Sequence, residues 1–241
     1  HVTSLSISST GFSGGHTLTG LPGLQRSLSV SVSFDDGTVY SNVVSGPSTA
    51  WVAASSLLQF ESSEPSVISV SAGAVVTLEA NFYTTVVVTA TYVCDVSVLG
   101  SRSVYANLVA ESHDVDMGST TRAPFGTFTL GSSFDVPVRI QSASGMDITS
   151  FQIEISFDAS IVQVQSDAQC SIGGSWSSAW ECTTNDPVDK VLIAGVCGLV
   201  PTSLCGTSGL ITIATVRFTA VGVGNSAMSG TIVKLQDSDN V

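Results

Sequence analysis

Residues 150–157 read Ser-Phe-Gln-Ile-Glu-Ile-Ser-Phe. Successive side chains of an extended strand point to opposite faces. That spacing puts Phe151, Ile153, Ile155 and Phe157 on one face, with Gln152, Glu154 and Ser156 on the other. One apolar and one polar face is the pattern of an antiparallel sheet that packs on a core and meets solvent with its other side.

The same period of two extends in both directions. Residues 132–140, SSFDVPVRI, place Phe134, Val136, Val138 and Ile140 together. Residues 213–224, IATVRFTAVGVG, group Ala214, Val216, Phe218 and Ala220, with Arg217 outward. In the first half, 27–34 alternate serine with Leu, Val and Phe, and Asp35-Asp36-Gly37-Thr38 follows as a hairpin turn. Strand signals recur at about 8–12 residues, the rhythm of sandwiches and barrels. No convincing helical stretch interrupts them. A boundary near 110–116, where the polar, Gly/Pro-bearing passage HDVDMGSTTRAPFG begins at 113, separates two such series. The fold class read from this pattern is all-β, with two tandem β-sandwich domains, 1–111 and 112–241.

Composition supports strands over helices. Of the 241 residues, 43% are hydrophobic, enough for packed cores, and only 11% are charged, too few to dress helical surfaces. Ser and Thr fill the polar positions, and Val and Thr suit a pleated surface. The net charge of −12 with seven Lys and Arg excludes a nucleic-acid partner, which requires a basic patch. It also disfavours anionic membranes. No run reaches the ~18 apolar residues of a membrane helix, so membrane insertion is not expected. The chain opens at His1 already in strand rhythm and reads as a processed secreted chain or a segment of a longer repeat-bearing one.

Four of the five cysteines cluster: Cys170, Cys182, Cys197 and Cys205. They form no C-x-x-C pair and have no histidine beside them, which speaks against zinc. Three pairings are open; Cys170–Cys182 with Cys197–Cys205 is favoured, each closing a short loop worth ~2–3 kcal/mol. Disulfides place the chain in an oxidising, extracellular compartment, secreted or at the cell surface; four free thiols would place it in a reducing one. Cys94 shares a strand face with Ala90, Tyr92, Val96 and Val98 and is expected to be a buried free thiol, with an intermolecular bridge as the alternative.

No catalytic constellation emerges. His113-Asp114 has serines nearby but no G-x-S-x-G, and reads as a solvated linker histidine; His1 and His16 have less context still. Asp35/Asp36 read as turn residues and Glu61/Glu64 as exposed loop charges. No cofactor is implied. The weak calcium candidates are Asp114 and Asp116 at the junction and Asp237 and Asp239 near the chain end, where hard oxygen ligands could stiffen an array. Neither pair has a full EF-hand loop, and solvated acidic linkers are the plainer reading. No Asn-x-Ser/Thr sequon occurs, so O-glycosylation, as at 45–50 or 119–124, is the glycan chemistry the sequence offers.

Two resemblances add to this. Residues 1–110 resemble a bacterial Ig-like (group 2) domain, through Asp36-Gly37-Thr38, Trp51, Ser62-Ser63-Glu64-Pro65-Ser66-Val67, Gly73 and the strand 86–92, VVVTATY. Residues 114–236 resemble a cohesin-type, jelly-roll sandwich, through GSSFDVPVRI (131–140), ITSFQIEISFDASIVQV (148–164), VLIAG (191–195), GLITIATVRFTAVGVG (209–224) and GTIVKL (230–235). A Cys-rich insert, 168–205, departs from that pattern. Modules of these kinds occur together in cell-surface adhesion proteins and are similar to units of algal flagellar-hair filaments. The resemblances imply a non-enzymatic structural subunit of an extracellular filament or surface array. Copies of the chain would join head to tail through sandwich contacts or by exchange of strands such as Thr3–Ser8 or Gly230–Leu235. The alternative is a cohesin-like adhesion or recognition module that binds a protein partner or a glycan through the sheet of Gln152, Glu154 and Ser156.

Overall fold

The computed structural model of the chain describes residues 1–9, 11–44, 54–143, 148–173, 179–185, 187–196 and 209–237. The chain divides into two compact units, 1–109 with 120–126 and 110–119 with 127–241. This is not the single break expected at 111/112. Residues 114–117 are drawn into the second unit by strand pairing. Residues 120–126 stay with the first, where the buried Asn107 amide donates to the Arg122 carbonyl at 3.0 Å.

In the first unit the strands are β1 (Val2–Ser8), β2 (Thr17–Gly20), β3 (Gln25–Ser27), β4 (Ser29–Phe34) and β5 (Val39–Tyr40). A single helical turn, Ala54–Leu57, precedes β6 (Leu58–Ser62), β7 (Ile68–Val70), β8 (Val75–Leu78), β9 (Thr85–Tyr92) and β10 (Asp95–Leu108). They form sheets β1-β4-β5, β2-β10-β9-β6 and β3-β8-β7. Alternation selects the core: Val86, Val88 and Ala90 of β9 are fully buried with Val104 and Ala106 of β10, against Leu28, Val30, Ile68, Val76 and Leu78. Gly100 lets β1 lie on β10, since a Cβ there would stand 2.6 Å from the Leu5 carbonyl oxygen. The turn at 35–38 joins β4 to β5, with the Asp36 carboxylate accepting from the Thr38 amide at 2.9 Å. In the turn between β7 and β8 it is Ala74, not Gly73, that takes the left-handed conformation, at φ 56°. Its carbonyl accepts from the Leu28 amide, which holds the buried Ala74 in place despite the cost to a residue with a Cβ. Trp51 and the glycosylation candidate 45–50 lie outside the described residues.

The second unit contains β11 (Asp114–Met117), β12 (Ser133–Ser142), β13 (Ile148–Ser156), β14 (Val162–Gln163), β15 (Cys170–Ile172), β16 (Ala179–Thr184), β17 (Lys190–Val196), β18 (Gly209–Ala220) and β19 (Ser229–Asp237). One sheet runs β11-β12-β18-β14, with β15 also pairing β18; the other runs β16-β17-β13-β19. All strand pairs here are antiparallel. Phe151, Ile153, Ile155 and Phe157 are buried, as are Val136, Val138 and Ile140. In β18, Ile213 and Ala214 are both buried although adjacent, because a bulge opposite Val138/Arg139 resets the parity of the strand. Gly195 stands opposite Phe151, and a Cβ there would come within 2.6 Å of the ring; the ring occupies that space. Pro137 tolerates a sheet interior because β11 ends beside it, where only the Gly118 amide reaches the Pro137 carbonyl.

Asp116 and Arg139, directly opposite in β11 and β12, form an ion pair of 2.8 Å, with side chains 11% and 14% exposed. Arg139 also donates to the Gly118 carbonyl at 2.8 Å. Replacing Arg139 with Met strands a mostly buried carboxylate. The expected result is a loss of about 2 kcal/mol, read as a lowered unfolding midpoint of the second unit. The double variant Asp116→Asn/Arg139→Met should recover part of it.

Candidate functional site

The outer face of the sheet β16-β17-β13-β19 gathers residues from four strands. The register sets Glu181, Ala194, Gln152 and Lys234 in one row. The next row is Thr183, Leu192, Glu154 and Thr231, and Lys190 stands opposite Ser156. Every one of these side chains is half-buried or exposed, while their strand neighbours Phe151, Ile153, Ile155, Val191 and Ile193 are buried beneath. On this face Leu192, Ala194 and the 54%-exposed Val196 are framed by polar groups.

Its charge pattern stands apart from the rest of this acidic chain. Both lysines of the sequence, Lys190 and Lys234, project here. Lys190 Nζ donates to Glu154 Oε1 at 2.7 Å, and that hydrogen bond raises the Lys190 ammonium above its ordinary range. Among the described residues no carboxylate pairs with Lys234. On the opposite sheet the outward Arg217 makes a two-pronged pair with Asp135, 2.7 and 2.9 Å, which lowers the Asp135 carboxyl below its usual value. Gln152, Glu154 and Ser156 were legible from alternation alone. Lys190, Leu192, Ala194 and Lys234 were not singled out, because VLIAG and GTIVKL read first as core strands; the same period of two, applied to KVLIAGV, finds three of them.

The structure assigns the cysteines unequally. Cys170 and Cys182 are bonded. The bond links β15, which pairs β18, to β16 in the other sheet, so it fastens the two sheets together rather than merely closing a loop. Cys197 and Cys205 lie outside the described residues. Cys94 corrects the expectation of a buried thiol: it is free and exposed. The strand assumed to run through it turns back at Val93-Cys94, and Asp95 fixes the turn by accepting from the Ser97 amide and hydroxyl, 3.0 and 2.6 Å. The neighbouring Cys94 raises the Tyr92 phenol above its ordinary value.

Among the described residues, the calcium candidates Asp114 and Asp116 are not part of a group of three metal-ligating side chains. The Asp116 carboxylate is held by Arg139, whose guanidinium opposes a cation there. Asp114 is exposed and accepts from the Val115 amide. Asp239 and the side chain of Asp237 lie outside the described residues. His113 sits in a left-handed turn, φ 67°, before β11. Among the described residues no three His, Cys, Asp or Glu side chains are grouped to hold a metal, and no helix is long and apolar enough to cross a membrane.

Two β-sandwich units, one with a mixed polar and apolar outer face, describe the class of molecule. No family model matches the chain, and no curated protein matches its sequence. Solved structures similar to it are cohesin modules. A type I cohesin from Clostridium thermocellum, Coh-OlpA in complex with a dockerin, shares 12% identity over 54% of this chain and 90% of its own, with a TM-score of 0.43. The sixth cohesin of scaffoldin B from Acetivibrio cellulolyticus, also solved with a dockerin, shares 16% over 54% and 90%, TM-score 0.41. The second type II cohesin of the ScaA scaffoldin from the same organism shares 9% over 54% and 85%, TM-score 0.38. At these values the functional reading rests on the residues of this chain.

Proposed function

We propose that the chain is a non-catalytic extracellular recognition and adhesion module whose second unit docks a protein partner on the outer face of β16-β17-β13-β19. The observation that carries this is the placement of both lysines of the chain on one sheet face with Leu192, Ala194 and Val196. Apolar residues inside a polar rim suit a specific contact between proteins. Rigid central strands hold the rows without an ordering cost on binding. Acidic groups on the partner would complement Lys234. The disulfide between sheets fits an oxidising, extracellular setting.

The test is a purified partner, isolated on the immobilised full chain from the extracellular fraction of the source and then measured against variants. Leu192→Asp should weaken binding more than about tenfold with an unchanged melting temperature. Equal affinity of wild type and variant would remove this face from the interface.

A second reading, copies of the chain joining head to tail into a filament, is favoured by one edge. β19 pairs with β13 on one side only among the described residues and offers nine residues for addition of another strand. β1 is less suited to exchange, since Val2, Leu5 and Ile7 are already buried in its own unit. Electron microscopy and light scattering of concentrated chain check this; a monodisperse monomer throughout counts against it.

A further inference from the structure

We infer that the first unit carries a separate binding site for an acidic saccharide, in a depression on the outer side of the sheet β2-β10-β9. The depression has a volume of about 470 Å³, within the ~300–1,000 Å³ range of small-ligand sites. The register builds its floor: Tyr105 of β10 stands between Thr17 of β2 and Thr85 of β9, and Ser103 follows two residues away on the same face. Two segments complete the rim, one with Ser13, Gly14 and His16 and one with Thr121 and Arg122. Among the described residues no carboxylate lines it.

Both rims are fixed from beneath. The Gly15 carbonyl accepts from the Ser9 hydroxyl and from Arg102 Nη2, each at 2.6 Å, which pins the 13–16 turn. The Tyr105 amide donates to the His16 carbonyl at 2.8 Å, which ties that turn to β10. Asn107, 2% exposed, donates to the Arg122 carbonyl and holds the 121–122 segment over the same strand. Arg122 itself is held at φ 65°, a conformation that a residue with a Cβ adopts only under constraint.

The lining chemistry selects the ligand. Arg139, Arg217 and Lys190 each have a carboxylate partner. Among the described residues no carboxylate pairs with Arg122, which is exposed beside His16. A guanidinium without a counter-charge favours a carboxylate or sulfate. Hydroxyl-bearing side chains provide donors and acceptors for a polyol, and the Tyr105 ring an apolar surface for the C–H face of a sugar. A single Asp or Glu side chain would leave most of the volume empty, so a uronate-type sugar fits better than an acidic peptide. The net charge of −12 slows approach of an anion, but exposed charges farther than ~8 Å away are largely screened at physiological salt, and the local guanidinium prevails at contact.

Titration calorimetry of the full chain tests this, with a trigalacturonate, a neutral trisaccharide and an Asp-rich peptide as probes. The uronate should bind, the neutral sugar at least about tenfold more weakly. Arg122→Gln should weaken uronate binding by about tenfold or more, and Tyr105→Ala should also weaken it. Amide shifts in nuclear magnetic resonance should move at 13–16, 103–105 and 121–122. Arg122 is exposed, so its variant should keep the wild-type melting temperature; if it does not, Arg122→Lys, which keeps the charge, should retain more affinity than Arg122→Gln. Lack of uronate binding at millimolar concentration, equal affinity for the neutral sugar, tighter binding of the peptide, or an unaffected Arg122→Gln variant would each overturn the assignment. Loss of the partner-binding face through Leu192→Asp should leave uronate binding intact, so the two sites fail separately.

Discussion

Phe218→Ala should lower the stability of the second unit by about 3–5 kcal/mol, the largest effect expected of any single side chain in it. Phe218 is fully buried near the end of β18. Its ring lies 6.0 Å from that of Phe134, its partner across the sheet, and meets Phe157 edge-on at 5.2 Å. Truncation removes both contacts and leaves a cavity whose walls are paired strands of two sheets, which cannot close in to fill it. Domains are stable by only about 5–15 kcal/mol, so the loss is a large fraction of the total. Phe128 stacks on Phe134 at 3.7 Å but is 43% exposed, and Phe128→Ala should cost far less. Calorimetry is the measurement of choice, because two units need not unfold together. The second unit's transition should shift down while that of the first stays in place. Equal shifts for Phe218→Ala and Phe128→Ala would show that burial at β18 does not dominate this core.

The features legible in the sequence are those that depend on a period of two within one strand. Phe151, Ile153 and Ile155 could be assigned to a core because each tells the next which face is buried. The rule fails where backbone geometry changes parity without a change in composition. The bulge at Ile213 buries two neighbours in succession, and no glycine marks it. The turn at Val93-Cys94 interrupts an apolar run with none of the usual turn residues; only Asp95, capping the amide of Ser97, betrays it. Ala74 takes a conformation usually left to glycine while Gly73 stands beside it, because its carbonyl is held by the Leu28 amide, a backbone contact that no side chain signals.

Sites composed across strands were harder still. The lysines at 190 and 234 are far apart in sequence and meet only through the register of β13 with both its neighbours. The depression in the first unit draws on residues 13–17, 85, 103–105 and 121–122, none of which carries a motif. Arg122 even falls in a passage that reads as linker, and the bond from Asn107 to its carbonyl ties it to the first unit. Local pattern reports burial, whereas function here depends on which exposed residues the pairing brings side by side.

Replacing Cys170 and Cys182 together by Ala should destabilise the second unit by about 3 kcal/mol in the chain-entropy account, the second large effect. The two residues are 12 apart, so the bond closes a loop of modest length. Its position adds to that: β15 hangs on β18 through three residue pairs and β16 hangs on the edge of the other sheet, and the bond prevents either from detaching alone. Both cysteines are buried, at 7% and 8% exposure, so reductant reaches the bond only when this edge opens. Wild-type chain should therefore resist dithiothreitol at low temperature and, once reduced, melt where the double variant does. Rapid reduction of the folded chain with no change in melting would mean that the bond contributes nothing to the sandwich. With Cys94→Ser added, the variant isolates Cys197 and Cys205: any remaining effect of reductant on its melting reports a second bond between them, and indifference to reductant leaves Cys170–Cys182 as the one disulfide on which the fold depends.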